Sequence, residues 1–389
     1  MVNQIYDKHK ILVLIPNFLP GFKIGGPLTS ILNMMEHLSE EFYFEILTSD
    51  RDFGDIKPYE KLKKNVWLNK KKYKVFYLSS NFLFFFRILK QINSSKAEIL
   101  YLNSLFNPLF SIFIVLAKKI RLINKKIIIA PRGETYFDAL NFKRKKKKIY
   151  ISVSKIFGIY NDLYWHASTE FEKQSIIKTL NIKPNLIRVA LNLSQKINNS
   201  NINNLITKKS NNDLHIIFLS RISKDKNILF TFEILNNIKS NVTYHIYGPI
   251  EDEFIWDDCK KKINKLPKNI SVEYKGSIEK NNVTKIFEEY DLMFLPSFGE
   301  NYGHVIVESL SVGTPVLLSD KTPWRNLSNK GLGWDIPLNE PDKFVTVIEF
   351  MAHLTIEEKK QMKLKTLKNS LEFLNDSKLI EDYKKIFKF

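Results

Sequence analysis

Two glutamates, Glu300 and Glu308, flank Gly303 in the stretch "FGENYGHVIVES", residues 298–309. An apolar run, "DLMFLP", precedes it and an apolar-periodic one follows, so the stretch reads as strand end, loop and helix start. Gly303 lets the backbone turn or come close to a ligand. The first helical amides, near Gly303, His304 and Val305, have no partner within the helix and carry the positive end of its dipole, which suits a phosphate. Glu300 in the loop and Glu308 inside the helix can each accept hydrogen bonds from vicinal hydroxyls of a sugar or ribose, with Asn301 and Tyr302 between them. The bland alternative makes Glu300 an ordinary loop carboxylate and Glu308 a solvent-facing one, and the spacing by itself favours that alternative.

A second constellation stands upstream. In "LSRISKDKN", Arg221 ends an apolar strand pattern and Lys226 follows five residues later. Two cations at a strand's carboxyl end can neutralise a diphosphate and stabilise the charge that builds on it as a leaving group. A third element is Gly25–Gly26 in the first strand-to-helix loop, where the main chain can approach phosphate or acceptor. The single Cys259 has no matching His cluster, which argues against a structural zinc site.

These residues need a scaffold, and the sequence describes one. In the first half, "KILVLIP", "FYFEILT", "AEILYLN" and "KKIIIAP" are short apolar runs, separated by helical patterns at "LTSILNMMEHLSEE" and across residues 108–119. Near-continuous apolar strands alternating with helices imply a parallel sheet covered on both faces. An Asn-rich, patternless stretch, residues 196–212, reads as a linker. The alternation then restarts with "LHIIFLS", "VTYHIYG", "ISVEYKG", "DLMFLPS" and "PVLLSD" as strands. The expected fold class is therefore α/β. A first Rossmann-like domain covers 1–195, a second covers 213–375, and a terminal amphipathic helix over 376–389 presents Leu379, Ile380, Tyr383, Ile386 and Phe387 on one side. Ligands of open α/β sheets sit outside the carboxyl ends of the strands, so the active site is expected between two such domains.

Composition narrows the partners. The chain has 389 residues, 44% hydrophobic and 26% charged, as soluble globular proteins do. The lone cysteine excludes an internal disulfide and fits a reducing compartment. The first 195 residues hold 32 Lys and Arg against 15 Asp and Glu, so nearly all of the net charge of +19 lies there. Such a half faces something anionic: a membrane surface, a phosphate-bearing substrate or a nucleic acid. The run "KRKKKK" at 143–148 and the aromatic segment "NFLFFFRIL" favour a membrane contact. No signal peptide is expected, because Asp7 interrupts the leader. The most apolar stretch, Leu105–Ala117, is broken by Asn107 and Pro108 and falls short of the ~20 residues a spanning helix needs.

Taken together, Arg221-x4-Lys226, Glu300-x7-Glu308, the following "GTPVLLSDKTPWRN" and the Gly25–Gly26 loop resemble glycosyltransferase family 4, retaining enzymes of the GT-B fold. The resemblance implies that Arg221 and Lys226 bind the donor diphosphate, Glu308 the ribose hydroxyls and Glu300 the transferred sugar. It implies a terminal helix that returns to the first domain and turnover without a metal. Two departures stand out. Arg132–Gly133, in "APRGETYFDAL", occupy the place where many members have His–Gly, and "RVALNLS" keeps only Asn192 of a usual turn. Arg132 is no base and could instead bind phosphate or acceptor. His166, in "YWHAST", reads as a packed histidine.

The implied activity is transfer from a nucleotide-diphosphate sugar to a hydroxyl of a polyprenyl-diphosphate-linked glycan in O-antigen or capsule assembly. The enzyme would be cytoplasmic and peripheral at the inner membrane face. The rivals are a GT-B nucleotide-sugar epimerase, a non-catalytic sugar-nucleotide binder and a basic nucleic-acid-binding protein. Against the last, no nucleic-acid module appears in the sequence.

Overall fold

The computed structural model describes residues 8–81, 83–136, 140, 144–195, 213–279, 282–374 and 377–388. The linker expected at 196–212 and Lys143 of the basic run lie outside the described residues. The chain divides into two compact units, residues 1–196 with 377–389, and residues 197–376.

Unit 1 holds strands β1 (His9–Leu14), β2 (Phe42–Ser49), β3 (Trp67–Asn69), β4 (Tyr73–Leu78), β5 (Ile99–Leu102), β6 (Lys126–Ile129), β7 (Tyr164–Ala167) and β8 (Ile187–Val189). Its helices are α1 (Gly26–Leu38), α2 (Phe84–Ser94), α3 (Phe113–Lys119), α4 (Arg144–Ile156) and α5 (Glu170–Leu180). The strands lie in the order β3-β4-β2-β1-β5-β6-β7-β8. All pairings are parallel except β3 with β4, an antiparallel edge that the sequence reading did not anticipate. The residues of β3 are half-buried or exposed, so the hydrophobic run that betrays an inner strand is missing there.

Why the inner strands read as unbroken apolar runs is visible in β1. Successive side chains point to opposite faces. Leu12 and Leu14 enter a core shared with α2, α3 and α5, while Ile11 and Val13 enter one shared with α1. Both faces are covered, so neither tolerates polar residues.

Unit 2 repeats the plan with β9 (Leu214–Leu219), β10 (Val242–Tyr247), β11 (Ile270–Gly276), β12 (Leu292–Leu295), β13 (Val316–Ser319) and β14 (Gly333–Ile336), ordered β11-β10-β9-β12-β13-β14 and all parallel. Its helices are α6 (Ile228–Leu235), α7 (Glu253–Ile263), α8 (Val283–Phe287), α9 (His304–Leu310), α10 (Leu327–Lys330), α11 (Pro341–His353) and α12 (Ile356–Leu374). The strand order reverses between β9 and β12, the place where doubly wound sheets open a crevice. Cys259 is buried on α7, and burial pushes its thiol up to about 12, so it stays protonated.

The last helix, α13 (Ser377–Ile386), belongs to unit 1. Tyr383, Ile386 and Phe387 are buried in the same core as α1, with Leu379 and Ile380 packed against it. The Tyr383 ring meets His166 edge-on at 4.9 Å, and Phe387 meets Tyr101 at 5.3 Å. His166 is fully enclosed. Its Nδ1 lies 2.6 Å from the Tyr101 hydroxyl and its Nε2 2.9 Å from the Ala190 carbonyl. A carbonyl only accepts, so Nε2 carries the proton and Nδ1 accepts from Tyr101. Burial first, then the nearby Arg132, pushes the imidazole down to about 3, which makes His166 a neutral packing residue.

That shift has a sign in stability. The unfolded imidazole protonates near 6.5 and the folded one only near 3. Between those values the unfolded chain binds more protons, so stability falls as pH drops through this window. His166→Gln should flatten the pH dependence of unfolding there by about one proton, roughly 1.4 kcal/mol per pH unit. Urea titrations at stepped pH values measure the slope, and identical slopes in the two proteins would disprove the neutral, buried assignment.

Candidate functional site

Arg221, Lys226 and Glu300 are brought together because two loops of unit 2 are bound to each other. After β9, Ser220 donates its N–H to the Tyr247 carbonyl, and Ile222 donates to Pro249, so the loop hugs the end of β10. Gly248 makes this approach possible. With φ of 131°, a Cβ built on it would lie 1.9 Å from the Ser220 carbonyl oxygen. The loop then makes a single 3-10 turn, Lys224–Lys226, and reverses through Asn227 in the left-handed region, φ 54°. The Asn227 side chain donates to the Pro296 carbonyl at 3.1 Å, and the Phe298 N–H to the Asp225 carbonyl at 2.9 Å. The Ser297 hydroxyl sits 3.1 Å from that same carbonyl and 2.8 Å from that of Gly299.

The outcome is a line of alternating charge. Lys226 Nζ is 2.7 Å from Glu300 Oε1, with both side chains only 10% exposed. Asp225 Oδ2 lies 3.4 Å from Lys226 Nζ and 3.8 Å from Arg221 Nη2. Arg221, half-exposed, also donates through Nη1 to Glu251. Burial pushes the Asp225 carboxyl up, but Lys226, the Ser223 hydroxyl and Arg221 together outweigh it and hold the group below its usual range. Asp225 and Glu251 were missed in the sequence. Asp225 stands beside Lys226 in the quoted motif, which was the available signal. Glu251 lies after a different strand, and nothing local marks it.

Downstream, Gly303 is left-handed at φ 77° and caps α9, so the glycine is required by the turn itself. Its carbonyl accepts from the Ile306 and Val307 amides at 2.9 and 3.4 Å. Tyr302 is buried, and its carbonyl accepts from the Trp324 indole at 2.6 Å, with the rings 5.9 Å apart. His304 stands edge-on to Tyr302 at 5.0 Å. Asn301, His304, Val305 and Glu308 are all half-buried, Glu308 on the fifth residue of α9. Trp324, from the segment after the motif, therefore fixes the loop that carries Glu300.

In unit 1, Gly25 caps α1 with φ 65°, and Gly26 is the first helical residue, followed by Pro27. A Cβ on Gly25 would meet no atom within 4 Å, so main chain stands open there. Asp52 shapes the loop before it, accepting from the amides of Phe22 at 2.9 Å and Lys23 at 3.2 Å. Arg132 differs from the expectation of a ligand-binding cation. Its Nε and Nη2 reach Asn103 Oδ1 at 3.2 and 2.9 Å, Nη2 reaches the Tyr101 hydroxyl at 2.9 Å, and Nη1 donates to Asn192. The guanidinium thus ties three neighbouring segments together. The Gly133 amide donates to buried Glu172 at 2.5 Å, and Glu172 also accepts from Ser168. Those amide and guanidinium donors are engaged within the fold.

Residues 201–368 match the family described as "Glycosyl transferases group 1". A protein of Klebsiella pneumoniae, described as an uncharacterized 41.2 kDa protein in the cps region, is 26% identical over 328 residues, 80% of this chain and 83% of its own. Among solved structures, sucrose-phosphate synthase from Thermosynechococcus elongatus superposes with a TM-score of 0.69 at 10% identity, covering 98% of both chains. Anabaena HepE, in complex with UDP and glucose, superposes with a TM-score of 0.67 at 13% identity, again over 98% of both chains. The fold is GT-B, and together with the match over residues 201–368 it makes the chain a transferase.

The Lys226–Glu300 pair can be tested by its energetics. Lys226→Ala leaves a carboxylate without its partner in a nearly closed site and should lower stability by about 3 kcal/mol. Lys226→Met combined with Glu300→Leu should recover much of that loss. Chemical denaturation of both variants reads the difference; additive losses would show that the two side chains do not share a buried contact.

Proposed function

We propose that this chain moves a hexose-type residue from a nucleotide-diphosphate sugar to a hydroxyl of a lipid-linked glycan, with retained anomeric configuration, during assembly of a surface polysaccharide such as capsule or O-antigen. The observation that carries the reading is the 2.7 Å contact between Lys226 and Glu300 at the carboxyl end of the unit 2 sheet, with Arg221 linked to it through Asp225. The group 1 match, the UDP and glucose in the HepE complex, and the cps-region relative support it.

In this reading Arg221 and Lys226 hold the donor diphosphate, helped by the amides of His304 and Val305 at the start of α9. Glu308 grips the ribose hydroxyls, and Glu300, oriented by Lys226, contacts the sugar. The bond from the anomeric carbon to the diphosphate oxygen breaks, and the acceptor oxygen bonds to that carbon on the same face. The acceptor proton passes to the departing phosphate oxygen, so no separate base is needed. Arg221 and Lys226 stabilise the charge that accumulates on the leaving group. Two fixed cations supply the neutralisation that a metal would otherwise provide, and turnover is proposed to proceed without one.

Arg221 is held by Glu251 and Asp225, so an incoming diphosphate must exchange with carboxylates for the guanidinium. Acceptor contacts are assigned to the open main chain at Gly25–Gly26. The enzyme is placed at the inner membrane face as a peripheral protein, where a lipid-linked acceptor resides.

A screen of UDP- and GDP-sugars for thermal stabilisation should identify the donor, and Lys226→Ala or Glu308→Ala should abolish turnover of it while a chelator leaves the rate unchanged. Full activity in both variants would refute the assignment. Product appearing without any acceptor would make the chain an epimerase, and retention of DNA or RNA on filters without donor binding would make it a nucleic-acid binder. Glu251→Gln removes the competing carboxylate and should lower the donor KM by about threefold to tenfold, given the roughly 1 kcal/mol scale of exposed ion pairs; a raised KM would show that Glu251 instead positions Arg221 for binding.

A further inference from the structure

One face of unit 1 is both apolar and cationic, and nothing in the donor chemistry uses it. Helices α2, α3 and α4 lie on the same side of the sheet, since Phe84, Ile88, Ile114 and Val115 share one core and Tyr150 and Ile151 pack against it. The helices also touch one another. Phe85 meets Phe113 at 4.6 Å, Asn93 donates to the Leu122 carbonyl at 3.2 Å, and Lys119 donates to the Gly158 carbonyl at 3.1 Å.

On the outer side of this layer, Ile149, Val153, Ile156 and Phe157 are exposed at spacings of four, three and one, a continuous stripe along α4. Ile156 is 78% exposed and Phe157 67%. Ile120 at 68% and Leu122 lie just past α3, and Phe86 at 74% stands on α2. The charged residues of the three helices are all Lys or Arg, without a single Asp or Glu. Within the basic run, Lys147 turns inward, half-buried over the Phe106 ring at 4.8 Å, while Lys145, Lys146 and Lys148 are exposed. Folding has therefore divided the run, leaving three lysines beside the apolar stripe with Lys155 farther along it. Among the described residues no helix is long and apolar enough to cross a membrane.

We infer that this α2–α3–α4 face is a docking platform for an anionic lipid bilayer, with Phe86, Ile120, Ile156 and Phe157 entering the headgroup boundary and Lys145, Lys146, Lys148 and Lys155 contacting lipid phosphates. The combination decides the occupant. An apolar stripe alone would suit a second protein, and a lysine cluster alone any polyanion. Apolar side chains flanked by cations, without an interspersed acid, match an interface that is apolar below and negative at its surface. The inference builds on the peripheral placement proposed above and names the surface responsible.

Co-sedimentation of the full chain with vesicles tests it. The protein should pellet with vesicles of phosphatidylcholine and phosphatidylglycerol, less so as salt rises, and hardly at all with phosphatidylcholine alone. Lys145→Glu, Lys146→Glu and Lys148→Glu should each weaken partitioning by at least about fivefold. Ile156→Ser with Phe157→Ser should weaken it by about tenfold or more. These side chains are exposed, so the variants should keep the parent melting temperature and the parent rate of donor hydrolysis in solution. No pelleting with anionic vesicles, or unchanged pelleting of both variant sets, would overturn the inference. A concentration-dependent dimer lost in Phe157→Ser, without vesicle binding, would assign the face to a second copy and overturn it too. Lys226→Ala separates the two readings: it should lose donor binding and keep vesicle binding. Failure on vesicles with donor hydrolysis intact removes only the platform.

Discussion

An ammonium and a carboxylate withdrawn from water are tolerable only if they meet, and Lys226 and Glu300 meet across seventy-four positions of sequence. That requirement fixes the register of two loops against each other. The Asp225 carbonyl accepts from Phe298, and Asn227 reaches Pro296, so the backbone aligns the loops before the charges are counted. Gly248 admits Ser220 at a distance no side chain would allow, which sets where Arg221 leaves the sheet. Trp324 and Tyr302 brace the far end of the second loop, where Gly303 turns into α9. Remove the pairing constraint and each of these residues becomes an ordinary loop feature; with it, they form one device for presenting cations and carboxylates side by side.

The polar network of unit 1 is closed, whereas part of the charged line of unit 2 stays exposed. In unit 1, Arg132, Tyr101, His166 and Asn192 satisfy one another, and Glu172 is consumed by the Gly133 amide and Ser168. Such closed networks rigidify a core and hold the terminal helix through Tyr383. In unit 2 the charges remain partly exposed at Arg221, Asp225 and Glu251, where screening keeps each pair weak and exchange with a ligand cheap. Strong local closure in one unit and exchangeable charge in the other is the division expected of a rigid scaffold and a binding site. It also explains why a cation at position 132 is structural here. Asn103 and Asn192 both aim their side-chain oxygens at it, and both are buried.

Net charge follows the same division. The excess of Lys and Arg in the first 195 residues is not spread evenly over its surface. It gathers on helices that also expose aliphatic and aromatic side chains, while the inward turn of Lys147 over Phe106 shows that part of the basic run serves packing.

How much of this could be read in the sequence depends on the range of the interactions involved. The doubly wound plan was legible because strands covered on both faces must be apolar along their length, and "KILVLIP" and "DLMFLPS" show it. The terminal helix was legible because its apolar spacing is local. Edge strand β3 escaped notice because it is short and half-exposed, and pattern reading depends on burial. Arg221, Lys226, Glu300 and Glu308 were recognisable as types at fixed spacings, each spacing confined to one loop and helix. That Lys226 bonds Glu300, that Glu251 holds Arg221, that Arg132 is taken up by Asn103 and Asn192, and that one lysine of the run turns inward were decided only by tertiary structure. Periodicity and motif spacing are properties of neighbouring residues, whereas each of these contacts joins segments brought together by chain packing.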